Sequence, residues 1–188
     1  MTESNIRETL APSCAADGSC CGPWSSCCEE YDPNYQLVVT YENATRADIE
    51  PVHKLLTAND LPLDGAADFI EHFIVAKAAG RIVGSIGLEP YGKNALLRSA
   101  AVRKDLQGRG IGRALVHALL DRAERDGVDT VYLLTTTADD YFTEFGFETV
   151  ERNALPAELS ASCELQGACP ASAIAMLKAL RHGDGRTS

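Results

Sequence analysis

The chain has 188 residues, of which 45% are hydrophobic and 23% charged, and its formal net charge is −10 at pH 7. This length can bury the core of one domain, and the acidic balance argues against nucleic acid or an anionic membrane as the main partner. No apolar run approaches the roughly 20 residues of a membrane span, and the start MTESNIRETL lacks the basic and apolar regions of a signal peptide. We therefore expect a cytoplasmic protein.

Residues 1–34 are rich in Ser, Cys, Gly, Ala and Pro, which predicts a flexible extension. Five of the seven cysteines lie there, in the pattern C-x5-C-C-x5-C-C, at Cys14, Cys20, Cys21, Cys27 and Cys28. The spacing differs from that of zinc knuckles, and an odd total without a signal peptide does not indicate a disulfide framework. Clustered thiols suit a soft, thiophilic ion such as Cu(I) or trivalent arsenic. The alternative is a tail whose cysteines have no function.

A folded domain is predicted over residues 35–181, with a disordered tail at 182–188. Its first strand is predicted at 36–41. Thr45, followed three residues later by Asp48, predicts the N-cap of a helix. Apolar and turn patterns then predict a short helix and three strands, at 66–71, 73–78, 82–89 and 95–102.

A glycine-rich stretch, Gln107-Gly108-Arg109-Gly110-Ile111-Gly112, joins the last of these strands to a helix predicted at 112–126. Glycines let a ligand approach the backbone, and the start of a helix favours negative charge. Arg109 and Arg113 add positive charge to the same turn. The stretch therefore predicts a phosphate-binding loop, although it lacks the Lys-Ser or Lys-Thr of a P-loop. The alternative is a glycine-rich turn without a function.

The remaining elements are a strand, a short helix and two further strands, predicted at 130–136, 139–145, 147–152 and 172–177.

The spacing of Gln107, Gly110 and Gly112 resembles the Q-x-x-G-x-G pyrophosphate loop of the GNAT acetyltransferases. Ala138, Phe142 and the pair Gly146-Phe147 fit the same family. The predicted element order, β-α-α-β-β-β-α-β-α-β-β, is that of the GNAT fold. The resemblance implies an α/β (α+β) domain with a mixed central sheet flanked by helices, over residues 36–180.

The resemblance also implies that acetyl-CoA is the cosubstrate. By this likeness Ala100, Ala101 and Val102 bind the pantetheine, and a backbone N–H near Ala100 stabilises the oxyanion. Phe142 also belongs to the predicted acetyl-CoA site. The pyrophosphate would lie on the loop and on the first turn of the helix, namely on Gln107, Gly108, Arg109, Gly110, Ile111, Gly112 and Arg113.

The proton-transfer residues depart from the family pattern. Many GNAT enzymes have a glutamate early on the fourth strand and a tyrosine four residues before the glycine of Gly-Phe, where this chain has Leu96 and Phe142. Tyr141 is adjacent, but its side chain should point about 100° away around the helix. Glu89 and Tyr141 are the catalytic candidates, with Glu89 as the base, directly or through water. The alternative for Glu89 is a solvated carboxylate at a strand end.

Arg98 is predicted to share a strand face with Leu96, Ala100 and Val102. A charged group on an apolar face needs an anionic partner. That partner is either a substrate carboxylate, which the guanidinium would bind with two hydrogen bonds, or a structural salt bridge. Thr135 and Thr136 are predicted to add hydroxyl groups to the same substrate site.

Several runs resemble one GNAT subfamily, the second ArsN type of arsenic-resistance proteins: 96–99, 133–138, 152 with 156, and 169–170. Part of this pattern is shared with amino-acid N-acetyltransferases. The sequence thus predicts acetyl transfer from acetyl-CoA to the amine of a small molecule, an amino acid or an arsenic-bearing analogue. The alternative is an arsenite- or metal-binding sensor or carrier with an inactive GNAT scaffold. GNAT proteins are often dimers, and the sequence leaves a homodimer open.

Overall fold

The computed structural model describes residues 37–180. They form one seven-stranded sheet in the order β1-β2-β3-β4-β5-β7-β6. The strands are β1 (Val39–Asn43), β2 (Phe73–Ala78), β3 (Arg81–Tyr91), β4 (Asn94–Val102), β5 (Thr130–Thr135), β6 (Glu148–Val150) and β7 (Ile174–Ala179). The α-helices are α1 (Ile49–Ala58), α2 (Ile111–Arg125) and α3 (Asp139–Thr143). Residues 151–173, the β6–β7 segment, contain two 3₁₀ turns and a π-helical turn, Glu164–Ala168.

The sheet is mixed, because β4 and β5 pair in parallel and every other neighbouring pair is antiparallel. The parallel pair needs a crossover, which α2 provides. The predicted mixed sheet with flanking helices is confirmed.

Alternation along β2 assigns the two main helices to opposite faces of the sheet. Ile74 and Ala76 belong to the core cluster that contains the apolar side of α2. Phe73 and Val75 belong to a second cluster with the apolar side of α1. Because successive side chains of a strand point to opposite faces, α1 and α2 cover different sides. The β6–β7 segment packs on the α1 side, where Leu159 is buried in a third cluster with alternate residues of β4 and β5.

Thr45, the predicted N-cap, caps the 3₁₀ turn before α1, and Asp48 is the N-cap of α1 itself. The backbone N–H and the hydroxyl of Thr45 donate to the Asp48 carboxylate at 2.9 and 2.8 Å, and Lys77 of β2 pairs with Asp48 at 3.0 Å. A 3₁₀ turn at Arg46–Asp48 leads into α1. The α-helix predicted at 66–71 is wrong: these residues form turns, with a 3₁₀ turn at Ile70–His72. The backbone N–H groups of Asp68 and His72 donate to the carbonyls of Gly65 and Phe69, three residues earlier, which is the spacing of turns and 3₁₀ helices and not of an α-helix.

The gap between β4 and β5 is the feature of the sheet that creates the site. The two strands pair only from Asn94 to Leu97 and from Thr130 to Leu133. Beyond that point β4 follows β3, while β5 continues alongside β7. The parallel neighbours therefore part in the middle of the sheet.

A bulge in β4 lies at the start of this gap. Gly87 pairs with Arg98 and Ser85 with Ala101, so one residue of β3 faces two residues of β4. Ser99 has a φ of 55°, and Ser85 Oγ donates to its carbonyl at 3.0 Å. The prediction that Arg98 and Ala100 share one face of the strand is wrong, because the inserted residue shifts the alternation of side chains. Ala100 is exposed, whereas Arg98 is only 2% exposed.

Across residues 37–180, none of the helices has the length and apolar character needed to span a membrane.

Close packing at the start of β2 gives a test of the fold. A Cβ at Gly87 would overlap the Phe73 ring. Gly87→Ala should lower the free energy of unfolding by about 1–3 kcal/mol, since overpacking forces neighbours to shift. Urea denaturation measures the loss. The same substitution combined with Phe73→Leu should cost less, because the smaller side chain makes room. An equal cost in both backgrounds would contradict the contact.

Candidate active site

Two cavities meet at the gap between β4 and β5. The first, the α2 cavity, has a volume of about 480 Å³ and lies against the first turns of α2. The second, the β5 cavity, has a volume of about 420 Å³ and is lined by the end of β5, the loop after α1 and the β6–β7 segment. Ala100, Thr137 and Ala138 line both. Molecules bound in the two cavities could thus touch through the sheet.

The glycine loop forms one side of the α2 cavity. Gly108 and Gly110 have φ values of 76° and 81°, and a Cβ at either would meet nothing within 4 Å. Gly110 is the N-cap of α2, so the loop presents the positive end of a helix to open space. The Gln107 amide donates to the Val102 carbonyl at 3.1 Å and ties the loop to β4. This backbone fits a phosphate.

The remaining loop residues have different surroundings. Ile111 is buried in the main core cluster and anchors the helix start. Arg113 pairs with Glu144 at 3.0 Å and lies over the Phe145 ring at 5.4 Å. Arg109 is exposed beside the glycines. Its charge is the one that a ligand phosphate could meet first.

The two aromatic residues of α3 point into different cavities. Phe142 is 5% exposed and lines the β5 cavity. Tyr141 is 36% exposed and lines the α2 cavity, where its hydroxyl lies 2.9 Å from the position that a Cβ of Gly112 would take. Burial raises the pKa of Tyr141. Tyr141, the predicted catalytic residue, thus borders the cavity beside the glycine loop. Phe142, which was predicted to bind acetyl-CoA, borders the β5 cavity instead.

Arg98 is the centre of a buried charge cluster. Its Nη1 forms an ion pair with Glu89, its Nη2 donates to the Asp64 carbonyl at 2.6 Å, and its Nε donates to Ser99 Oγ at 3.2 Å. The same Nε lies 3.6 Å from Glu164. Each guanidinium nitrogen thus has a protein partner, which is the structural salt bridge that the sequence left as the alternative. Three of the five N–H donors of Arg98 make these hydrogen bonds, and Arg98 also lines the β5 cavity, so its contact with a substrate carboxylate stays a prediction.

Glu89 has no solvent exposure and lines neither cavity. Besides Arg98 it accepts a hydrogen bond from the Tyr91 hydroxyl at 2.9 Å. Burial and this hydrogen bond raise the pKa of Tyr91 to about 12, so the phenol remains a donor. The solvated carboxylate considered from the sequence is therefore wrong. Glu89 is the buried counter-charge of Arg98, and its role as a general base, directly or through water, stays a prediction.

Glu164 is the site residue that the sequence did not reveal. It is 5% exposed, yet it lines the β5 cavity. Burial raises the pKa of its carboxyl; the charge of Arg98 opposes the shift and that of Glu89 adds to it. The Cys169 thiol donates to its Oε2 at 3.6 Å. Burial and the Glu164 carboxylate raise the pKa of Cys169 to about 12, so this sulfur stays a thiol.

The predicted threonines also line the β5 cavity. The Thr135 hydroxyl accepts from the backbone N–H of Ala138 at 3.0 Å and so helps to fix the start of α3. Thr136 is exposed at the cavity wall. Both hydroxyl groups remain candidates for contact with a bound molecule.

The predicted thiophile site at Cys14, Cys20, Cys21, Cys27 and Cys28 lies outside the described residues. Between residues 37 and 180, His, Cys, Asp and Glu side chains form no group of three that could hold a metal ion.

Comparisons with known proteins agree with this geometry. The model of the acetyltransferase (GNAT) family matches residues 24–147. An uncharacterized N-acetyltransferase from Chlorobaculum tepidum is 30% identical over 122 residues, which cover 63% of this chain and 77% of that protein. The amino-acid acetyltransferase of Aeromonas salmonicida is 30% identical over 91 residues, which cover 47% of this chain and only 21% of that protein.

Solved structures share the fold. N-acetylglutamate synthase from Neisseria gonorrhoeae, in complex with coenzyme A and N-acetyl-glutamate, superposes with a TM-score of 0.66 at 20% identity, covering 78% of this chain and 36% of that one. Rv2747 from Mycobacterium tuberculosis, in complex with CoA and NLQ, gives a TM-score of 0.64 at 22% identity, covering 76% and 99% of the two chains.

The buried Arg98–Glu89 pair gives a prediction about stability. Glu89→Gln leaves the guanidinium without its fully buried counter-charge, so the free energy of unfolding should fall by about 3–5 kcal/mol. Chemical denaturation at neutral pH measures the change. Glu158→Gln is the control, because it makes the same chemical change at an exposed residue of the β6–β7 segment and should cost little. An undiminished stability of Glu89→Gln would contradict the role given to this pair.

Proposed function

The chain belongs to the GNAT acetyltransferase family, and we propose that it transfers the acetyl group of acetyl-CoA to the amine of a small molecule bound in the β5 cavity. The observation that carries this proposal is the gap between β4 and β5, through which the α2 and β5 cavities meet at Ala100. A thioester on one side and an amine on the other would be held within reach of each other.

The α2 cavity suits acetyl-CoA. The open glycines at the start of α2 would receive the pyrophosphate, with Arg109 beside it. The pantetheine would run along Ala100, Ala101 and Val102, which line the same cavity. Two solved structures with the same fold contain coenzyme A by their descriptions, which supports this placement. Use of acetyl-CoA also agrees with the cytoplasmic location that the sequence predicts.

The bulge in β4 would serve the reaction directly. Ser99 and Ala100 have no partners in the β3–β4 register, so the backbone beside Ala100 can turn towards the gap. An N–H group aimed there would stabilise the negative charge that develops on the thioester oxygen, an effect worth about 10²–10³ in rate in other enzymes. No side-chain nucleophile is needed, since the amine itself can attack the thioester.

We propose an amino acid or an arsenic-bearing analogue as the acceptor. The similarity to the Aeromonas amino-acid acetyltransferase supports the first, and the likeness to the arsenic-resistance subfamily supports the second. Asp60, Arg98 and Glu164 line the β5 cavity, and the charge of Arg98 is offset by its buried partner Glu89. This balance favours the ammonium group of the acceptor. A substrate carboxylate would meet Thr135 and Thr136 in preference to Arg98.

The paired cysteines between residues 14 and 28 favour a second role. We propose that they bind arsenite or another thiophilic ion, either in a sensor or beside the acetyltransferase. This role rests on the sequence pattern. The open glycine loop argues against the version in which the GNAT domain is an inactive scaffold. Arsenite titration of the full chain, compared with a variant in which these five cysteines are serine, tests the role directly.

The main experiment incubates the full-length protein with acetyl-CoA and a panel of amines. The panel comprises the common amino acids and arsenic- or phosphorus-bearing glutamate analogues. Mass spectrometry of the acetylated product avoids interference from the cysteine thiols. We expect acetylation of at least one amino acid or analogue. Acetyl-CoA binding by calorimetry without any acetylated product would refute this acceptor class, and failure to bind acetyl-CoA would refute the transferase proposal as a whole.

The loop gives a matched pair of variants. Gly110 and Gly127 lie at opposite ends of α2, with φ values of 81° and 77° and open space around each. Leucine at either position carries a similar backbone strain. Gly110→Leu should weaken acetyl-CoA binding by at least about tenfold, or about 1.4 kcal/mol, because the leucine side chain would occupy the phosphate position. Gly127→Leu should bind normally by calorimetry. Equal effects of the two variants would move the phosphate away from this loop.

A further inference from the structure

One buried acid of the β5 cavity lies outside the proposed acetyl-CoA site. Glu164 is 5% exposed and lines the cavity in which the acceptor would bind. It lies in the β6–β7 segment, outside the residues that hold the sheet and the glycine loop. We infer that Glu164 is the general base that removes a proton from the ammonium group of the acceptor. This inference rests on the proposed function and adds a catalytic residue to it.

Two neighbours contact the carboxyl group, and a third fixes the backbone that carries it. Arg98 Nε lies 3.6 Å from its Oε1, and the Cys169 thiol donates to its Oε2 at 3.6 Å. The Ser162 hydroxyl accepts from the backbone N–H of Glu164 at 3.2 Å and fixes the turn from which the side chain projects. The Arg98 contact is longer than a normal N–H···O hydrogen bond, and the thiol is a weak donor. The carboxyl is therefore oriented but keeps capacity for another partner.

The charges around Glu164 favour a proton acceptor. Two carboxylates, Glu89 and Glu164, share the single cation Arg98, and Glu89 has the closer pairing. Cys169 is the other titratable group in contact, and it stays a neutral thiol. Ionised Glu164 is thus incompletely compensated in a buried position. Glu164 is stabilised when it takes a proton from the ammonium group of the acetyl acceptor. Burial acts in the same direction, because it raises the pKa of the Glu164 carboxyl.

Other candidates fit the role less well. Glu89 lines neither cavity and is fully buried. Tyr141 lines the α2 cavity, where the acetyl donor would lie. Asp60 also lines the β5 cavity, but it is an exposed residue that lies 3.7 Å from Lys104.

The proposed proton transfer completes the acetyl transfer. Glu164 takes one proton from the ammonium group, and the lone pair of the resulting amine attacks the thioester carbonyl carbon. The C–N bond forms, and the C–S bond breaks with its electron pair passing to sulfur. The second nitrogen proton goes to the thiolate to give coenzyme A, and Glu164 releases its proton to water. One proton is released in all for each amide formed.

Kinetics of the full-length protein, with the best acceptor of the amine panel, test the inference. Glu164→Gln should lower kcat/KM by at least about 10²-fold at neutral pH, a typical loss for a general base. The wild-type kcat/KM should fall as pH drops through the raised pKa of Glu164, because the protonated carboxyl cannot accept a proton. The variant should lose this limb, and its deficit should shrink as pH approaches the pKa of the acceptor amine.

Two further variants separate catalysis from structure. Glu164→Asp keeps a carboxyl group and should retain the acidic limb with a smaller loss. Glu158→Gln, in the same segment but lining neither cavity, should match the wild type. Calorimetry should show unchanged acetyl-CoA binding in all three variants.

The outcomes separate a failure of the base assignment from a failure of the proposed function. If Glu164→Gln keeps the wild-type rate and pH profile while the wild type acetylates an amine, the base assignment is wrong and the proposed function stands. If the wild type acetylates no amine, the proposed function fails, and the base assignment fails with it.

Discussion

The buried guanidinium of Arg98 is the interaction on which the centre of this domain depends. It lies 2% exposed in the sheet, and it bonds to β3, to the loop after α1 and to the β6–β7 segment. A cation at this depth is tolerable only because its partners surround it. In return it connects these three parts of the chain. The β5 cavity therefore has walls that are joined by charged groups as well as by apolar packing.

The site itself results from an interruption of regular structure. Parallel β4 and β5 pair over four residues each and then separate, and a bulge at Ser99 turns the backbone of β4 outwards at that point. The positive φ of Ser99 costs about 1–3 kcal/mol in a residue with a side chain. The buried Ser85 and Arg98 bonds to Ser99 hold that conformation. Strain here coincides with the place where the two cavities meet, as is common at functional sites.

The sequence predicted the features that are encoded locally. Capping at Thr45, the hairpin after β2 and the glycine loop before α2 each depend on residues close in the chain, and the mixed sheet followed from the order of elements. The bulge escaped prediction because Ser99 carries none of the usual glycine signals for positive φ. Glu164 escaped because its environment is created by Arg98 and Glu89, which are distant in sequence. The sequence also did not predict which cavity Tyr141 and Phe142 would each border. That depends on how the short helix α3 is rotated about its axis, and the helical period fixes only the angle between the two side chains.

The opposite placement of α1 and α2 also bears on how products would leave. The α2 cavity is lined by the glycine loop and the first turns of α2, and the β5 cavity has the loop after α1 and the β6–β7 segment among its walls. Spent coenzyme and acetylated amine would then have separate exits. Neither product would need to wait for the other to depart, so the domain could exchange one ligand while the other site is still filled.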